Sequence, residues 1–182
     1  MFGAQAWKDY FGVEIDSEPE PPSNIEEILN KTAPFKLDNE RCSQRVRDNH
    51  FGVLIPSQVN REAFSLNKLG ALSKHYFPNN RNEKGYSYYV RDVHEHFGDA
   101  SPDRSYWVLI ARHILEGSRN KPYSAQEALV GKYSRHGYGL PIGLEAASAQ
   151  VILKALVHMR SFYLVLQISD VFFFDQRQMD QQ

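Results

Sequence analysis

With 182 residues, 42% of them hydrophobic and 24% charged, the chain has the size and balance of one globular domain. A chain of this length buries roughly 70% of its unfolded surface, so it needs neither disulfides nor metals for a core. A net charge of −1 excludes a global attraction to nucleic acid or anionic membrane, and the single Cys42 excludes an intramolecular disulfide and a multi-cysteine zinc site.

The opening MFGAQAWKDYFG has no basic stretch leading into an apolar one, so a Sec-type signal peptide is not expected. Trp7, Tyr10 and Phe11 form a short aromatic segment. The stretch 17–23 (SEPEPPS) then reads as a linker, because its prolines exclude helix interior and central strand. Ser23 and Glu26 suggest a capping box for a short helix with Ile25, Ile28 and Leu29 as its apolar stripe. Residues 38–49 are charged and read as a loop. Glu40, Arg41 and Arg45 make the surroundings of Cys42 those of a solvated segment rather than of a nucleophile.

Residues 51–55 (FGVLI) closed by Pro56 predict a buried strand. Ser65 caps the next helix, with Leu66, Leu69 and Leu72 at helical spacing and Phe64 and Leu69 placed for a hydrophobic staple. Residues 78–85 read as an exposed loop. Tyr86, Tyr89, Val90, Val93 and Phe97 predict a helix ended by Gly98.

The stretch 105–133 is the most informative. Residues 106–110 predict a strand, 116–122 (EGSRNKP) a basic loop, and Ser124 with Glu127 a capping box opening a helix. A Gly/Pro turn over 137–143 precedes a long helix from about Leu144. Ala147, Val151, Ala155 and Met159 share one of its faces, with Ile152, Leu156 and Tyr163 beside them. No run reaches the about 18 to 20 apolar residues that span a bilayer. The nearest, 151–174, is broken by Lys154, His158, Arg160 and Asp170. The expected fold is α+β, a helix-rich single domain with a small sheet. It divides into an N-terminal aromatic segment and Pro-rich linker (1–22), a globular part (23–159) and an atypical tail (160–182).

The loop 117–123 is the first candidate site. Ser118, Arg119, Asn120 and Lys121 offer donors beside a helix N-terminus, where a phosphate or carboxylate is stabilised, and Arg112 stands at the rim with His113. Against this, turns are polar for conformational reasons, and neither GxxxxGK[ST] nor GxGxxG is present. His94 and His96 would chelate from one face of a strand. On the expected helix they sit about 200° apart, which argues against a metal site. Trp107 and Tyr106 suit a stacking platform, but core packing is the commoner use of such residues. No GxSxG elbow and no HExxH pattern occurs. No cofactor and no nucleic-acid partner is expected.

Five segments carry a resemblance: WKDYFGVEID, EPPSNIEEIL, HFGVLIPSQVNREAFSLNKL, SYWVLIARHILEGSRNKPYSAQEALV and LPIGLEAASAQVILKALVHM. Together they resemble a family from chlamydia-related intracellular bacteria, marked by a WxxYFGDVGxEPPLP opening and a SHWVLMTRDVxxGSRNKxY block. Some members are joined to F-box-like segments. The resemblance covers about residues 7–159 and brings no assigned activity or catalytic residue. It implies a bacterial protein of intracellular lifestyle, acting on or inside the host. Arg112-His113 stands where the family has Arg-Asp, and 160–182 departs from the family's continuation as translation of a shifted frame would. A truncation after about Met159 is therefore expected.

Three functional readings follow. The leading one is a non-enzymatic protein-interaction module, host-directed, cytoplasmic in the bacterium or exported without a Sec signal. The second is a binding or enzymatic domain that takes a phosphate-bearing small molecule on the loop 117–123. The third is a truncated remnant without independent function. No motif decides between enzyme and non-enzyme.

Overall fold

A computed structural model describes residues 1–37, 45–76, 95–159 and 173–174. Within them the elements run α1 (Ala4–Phe11), α2 (Ile25–Asn30), α3 (Val46–Asn49), β1 (His50–Ile55), β2 (Gln58–Val59), β3 (Glu62–Ala63) and α4 (Leu66–Leu72). Next come β4 (Tyr106–Ala111), α5 (Tyr123–Gly131), β5 (Tyr138–Gly139), α6 (Gly143–Met159) and β6 (Phe173–Phe174). The fold is α+β.

Both long predicted strands form, and they pair with each other. β1 and β4 run antiparallel from His50 opposite Ala111 to Ile55 opposite Tyr106. Their apolar runs are continuous because the sheet is covered on both faces. Val108 and Ile110 join one core with Val53, Phe64, Leu69 and Ile152, whereas Leu109 and Ala111 join a second with Ile28, Phe35, Val46 and Tyr138. The four-stranded sheet has the order β1-β4-β6-β5. Its β6 strand comes from the segment read as an atypical tail.

The aromatic N-terminal segment is part of the first core. Trp7 is fully buried, and Phe2 and Phe11 lie beside it. Trp7 and Phe11 fall one turn apart on the same helix face. Gly12 ends α1 in the left-handed region (φ 66°), where its N–H reaches Lys8 O at 2.9 Å. Phe2 bridges to Val53 alongside β1 and so covers that edge of the sheet. The proline-rich segment 17–23 lies against the body instead of spanning a gap: Trp107 Nε1 donates to Pro19 O at 2.8 Å. Trp107 itself is only half-buried.

Three local expectations are corrected. The loop expected over 38–49 ends in a helical turn, α3, whose Val46 N–H donates to Lys31 O at 2.9 Å. The Ser23–Glu26 capping box does not form. α2 is capped at Asn24 without a side-chain bond, Ile25 N donates to Pro22 O, and Glu26 pairs with Arg47 at 3.1 Å. The turn expected over 137–143 holds a short strand, β5, within it. Ser65, in contrast, caps α4, its Oγ accepting from Lys68 N at 3.3 Å, and Phe64 and Leu69 are both fully buried.

A hairpin absent from the sequence reading joins β2 and β3. Its two turn residues, Asn60 and Arg61, have φ of 51° and 65°, the left-handed pair that two-residue hairpins favour. The loop expected over 78–85, the first part of the helix expected over 86–97, and Cys42 lie outside the described residues. Glu95 and His96 fall in an exposed helical turn over 95–97, and His94 lies outside the description. No helix among the described residues is long and apolar enough to cross a membrane.

Candidate functional site

An open cleft of about 330 Å³ lies on the second core, between the segment 33–36 and the start of the basic loop. Ala33, Pro34, Phe35 and Lys36 line one side, and Leu115, Glu116 and Tyr133 the other. Both sides are fixed by backbone contacts. Leu37 bridges to Leu115, Glu116 N donates to Lys36 O at 3.0 Å, and Thr32 bridges to Arg45 at the far end of the segment. The two sides of the cleft are therefore tied to each other and to the turn before α3.

The aromatic wall has depth. Phe35 meets Tyr133 edge-on at 5.3 Å and Tyr138 at 4.7 Å, geometry that aromatic pairs prefer. Behind Phe35, His50 lies 6.1 Å from its ring and 5.8 Å from that of Tyr138. His50 is buried, with Nδ1 3.2 Å from Val46 O and Nε2 without a hydrogen-bond partner. Burial holds its pKa down to about 4, against a backbone hydrogen bond to Val46 that favours the charged form, and with Arg112 adding to the depression. Burial likewise pushes the Tyr138 hydroxyl up to about 12. The wall is thus neutral, while Lys36 and Glu116, joined through their backbones, are both exposed at its edge.

The predicted loop residues stand next to this cleft and do not line it. Ser118 is fully buried, and its Oγ donates to Leu115 O at 2.8 Å, which closes the turn. Arg119, Asn120 and Lys121 are exposed. Asn120 takes a left-handed conformation (φ 57°), and Lys121 O accepts from Gln126 Nε2 at 3.0 Å. The helix that follows starts earlier than Ser124. Pro122 is its N-cap, and the N–H groups of Ala125 and Gln126 both donate to Pro122 O, so the Ser124–Glu127 capping box is replaced. Proline fits there because its fixed φ suits a helix start. Arg112 lies with its guanidinium 6.0 Å from the Phe51 ring centroid, and its N–H continues the β1–β4 pairing to Asn49 O at 2.7 Å. Half-buried His113 has its pKa lowered by burial and by Arg112. The structure therefore places Arg119, Asn120 and Lys121 on one exposed turn, while Ser118 in the same turn points its hydroxyl inward to Leu115 and Arg112 lies at the Phe51 ring.

A second polar arrangement was missed in the sequence. Glu145 is 1% exposed, yet its carboxylate accepts from Tyr106 Oη at 2.7 Å and from Ile142 N at 2.8 Å. Its place at the third position of α6 is that of a capping-box glutamate, a signal present in the sequence. These bonds anchor the start of α6 on β4. Among the described residues no three His, Cys, Asp or Glu side chains converge as a metal site.

Fold and site together define a small α+β domain with an aromatic, charge-rimmed cleft. No protein-family model, no curated protein and no solved structure matches the chain.

Proposed function

We propose that this chain is a non-enzymatic protein-interaction module that docks a short segment of a partner polypeptide in the cleft lined by Phe35 and Tyr133. The observation that carries the reading is the pairing of an aromatic wall with two exposed residues of opposite charge at its edge, Lys36 and Glu116. Aromatic side chains give large contact area for little lost rotamer freedom, and edge charges of opposite sign orient a chain that carries both charges. Most of the lining (Ala33, Pro34, Phe35, Leu115) is chemically inert, which suits binding better than turnover. The resemblance read from residues 7–159 to proteins of chlamydia-related intracellular bacteria is part of the same proposal, which makes a host protein the candidate partner. The proposal extends to a location in the bacterial cytoplasm or an export route without a Sec signal.

Selection of displayed peptides tests the reading. Peptides retained by the wild-type chain should be lost by the Lys36→Glu/Glu116→Lys double variant, which keeps the charges and reverses their order. Peptides retained equally by both chains would contradict it.

A further inference from the structure

The aromatic wall of the cleft rests on a buried imidazole. His50, at the start of β1, is 2% exposed, and its ring touches that of Phe35, which lines the cleft. Val46 O can only accept, so Nδ1 donates to it and the bare nitrogen is Nε2, which has no hydrogen-bond partner. A proton taken up in acid therefore goes to Nε2. The elements packed around the ring hold nothing that neutralises it. α3 gives the Val46 carbonyl, while its Arg47 and Asp48 are exposed. β5 gives the ring of Tyr138, whose hydroxyl stays protonated. The segment 33–36 gives Phe35, and its Lys36 is exposed. The charge that acts on His50 is Arg112, just past β4, which has the same sign and also acts on half-buried His113. An imidazolium in this place is a buried charge without a counter-ion, so taking up the proton favours a state in which water reaches the ring. The side held by the fewest backbone contacts is 33–36. It is tied by single bridges, Thr32 to Arg45 and Leu37 to Leu115, and by Glu116 N to Lys36 O, whereas β1 pairs with β4 over six residues.

We infer that the cleft is gated by acid: protonation of His50 at Nε2 moves the 33–36 wall off the imidazole and so weakens docking in the cleft. The last step rests on the proposed function, whereas the movement of the wall is a property of the free chain. Burial holds the imidazole at about 4 while the wall is closed, against its ordinary 6.5 once wetted. The ratio of open to closed chains should therefore rise about thirtyfold between pH 7.5 and pH 5.

Amide hydrogen exchange of the free full-length chain tests the movement, with each rate normalised to that of an unstructured chain at the same pH. The Glu116 amide, bonded to Lys36 O, reports the wall, and the Leu69 amide, bonded to Ser65 O in α4, reports the first core. Glu116 should exchange about thirtyfold faster at pH 5 than at pH 7.5. Its rate should not depend on urea at low concentration, the mark of a local opening, while that of Leu69 climbs with urea. His50→Gln and His50→Phe, one polar and one apolar and neither able to ionise, should both lose the rise. The inference is overturned by a rise under about threefold in the wild-type chain, by a Glu116 rate as urea-dependent as that of Leu69, or by the same rise in either variant. A peptide selected on the wild-type chain at pH 7.5 should bind more weakly at pH 5, by at most about thirtyfold, with the loss absent in the variants. If no peptide is selected the docking reading fails, while the wall's response still stands or falls on Glu116.

Discussion

The indole N–H of Trp7 donates to the carbonyl of Leu54 at 2.9 Å, joining residues 47 positions apart at the centre of the first core. The same ring packs edge-on against Phe2 at 5.6 Å and Phe64 at 5.3 Å. The bond ties α1 to the buried strand β1. Trp7→Ala should destabilise the chain by about 3–5 kcal/mol, the usual cost of deleting a large core aromatic. Trp7→Phe keeps most of the packing and loses the donor, and should cost about 1–3 kcal/mol. Urea denaturation followed by circular dichroism measures both. A loss under about 0.5 kcal/mol for Trp7→Ala would show that α1 does not belong to the cooperative core.

Three serines that look alike in sequence should behave differently. Ser65→Ala removes the bond to Lys68 N and should cost about 1 kcal/mol. Ser23→Ala and Ser124→Ala remove no cap, since Asn24 and Pro122 hold those positions, and should stay within about 0.5 kcal/mol of wild type. Thermal melts of the three variants separate these outcomes.

Arg61 holds a left-handed conformation (φ 65°) that costs most side chains roughly 1 kcal/mol. Arg61→Gly should therefore stabilise the hairpin, raising the chain's stability by up to about 1 kcal/mol. A lower urea midpoint in the variant would show that the arginine side chain outweighs its backbone strain.

The two central strands were legible because burial on both faces makes 51–55 and 106–110 almost wholly apolar. The cap at Ser65 was legible because nothing competes with it. Ser23 and Ser124 misled because Pro22 and Pro122 lie one or two residues earlier, and their carbonyls take the first donors of the helix. The β2–β3 hairpin was hidden because Asn-Arg stands where Asn-Gly is the strong signal. Glu145 was overlooked among the apolar residues of α6, although its third-position placement announced a cap. The loop 117–121 was placed correctly as a turn, yet its serine serves the turn itself. The cleft was illegible because its sides, 33–36 and 115–116, are distant in the chain and meet only through tertiary pairing.

Stability should fall in mild acid through His50. Its folded pKa of about 4 lies below the unfolded 6.5, so the neutral form is favoured by folding. The contribution is fully present above pH 6.5, is lost as pH falls from 6.5 toward 4, and is flat below that. The total is on the order of 3 kcal/mol. His113, also lowered, acts in the same direction. Urea midpoints between pH 4 and 7.5 should show a steeper decline in wild type than in His50→Gln. Parallel curves would mean that His50 is not held neutral in the fold.

The central claim is that a partner polypeptide docks in the cleft lined by Phe35 and Tyr133. The most direct measurement places a photo-cross-linking amino acid at Pro34 in the cleft lining and, as control, at exposed Gln5 on α1. With a peptide selected on the wild-type chain, the Pro34 position should give a discrete adduct that the Gln5 position does not, and Lys36→Glu/Glu116→Lys should abolish it. Equal adducts from both positions, or an adduct at Pro34 that survives the double substitution, would contradict the account.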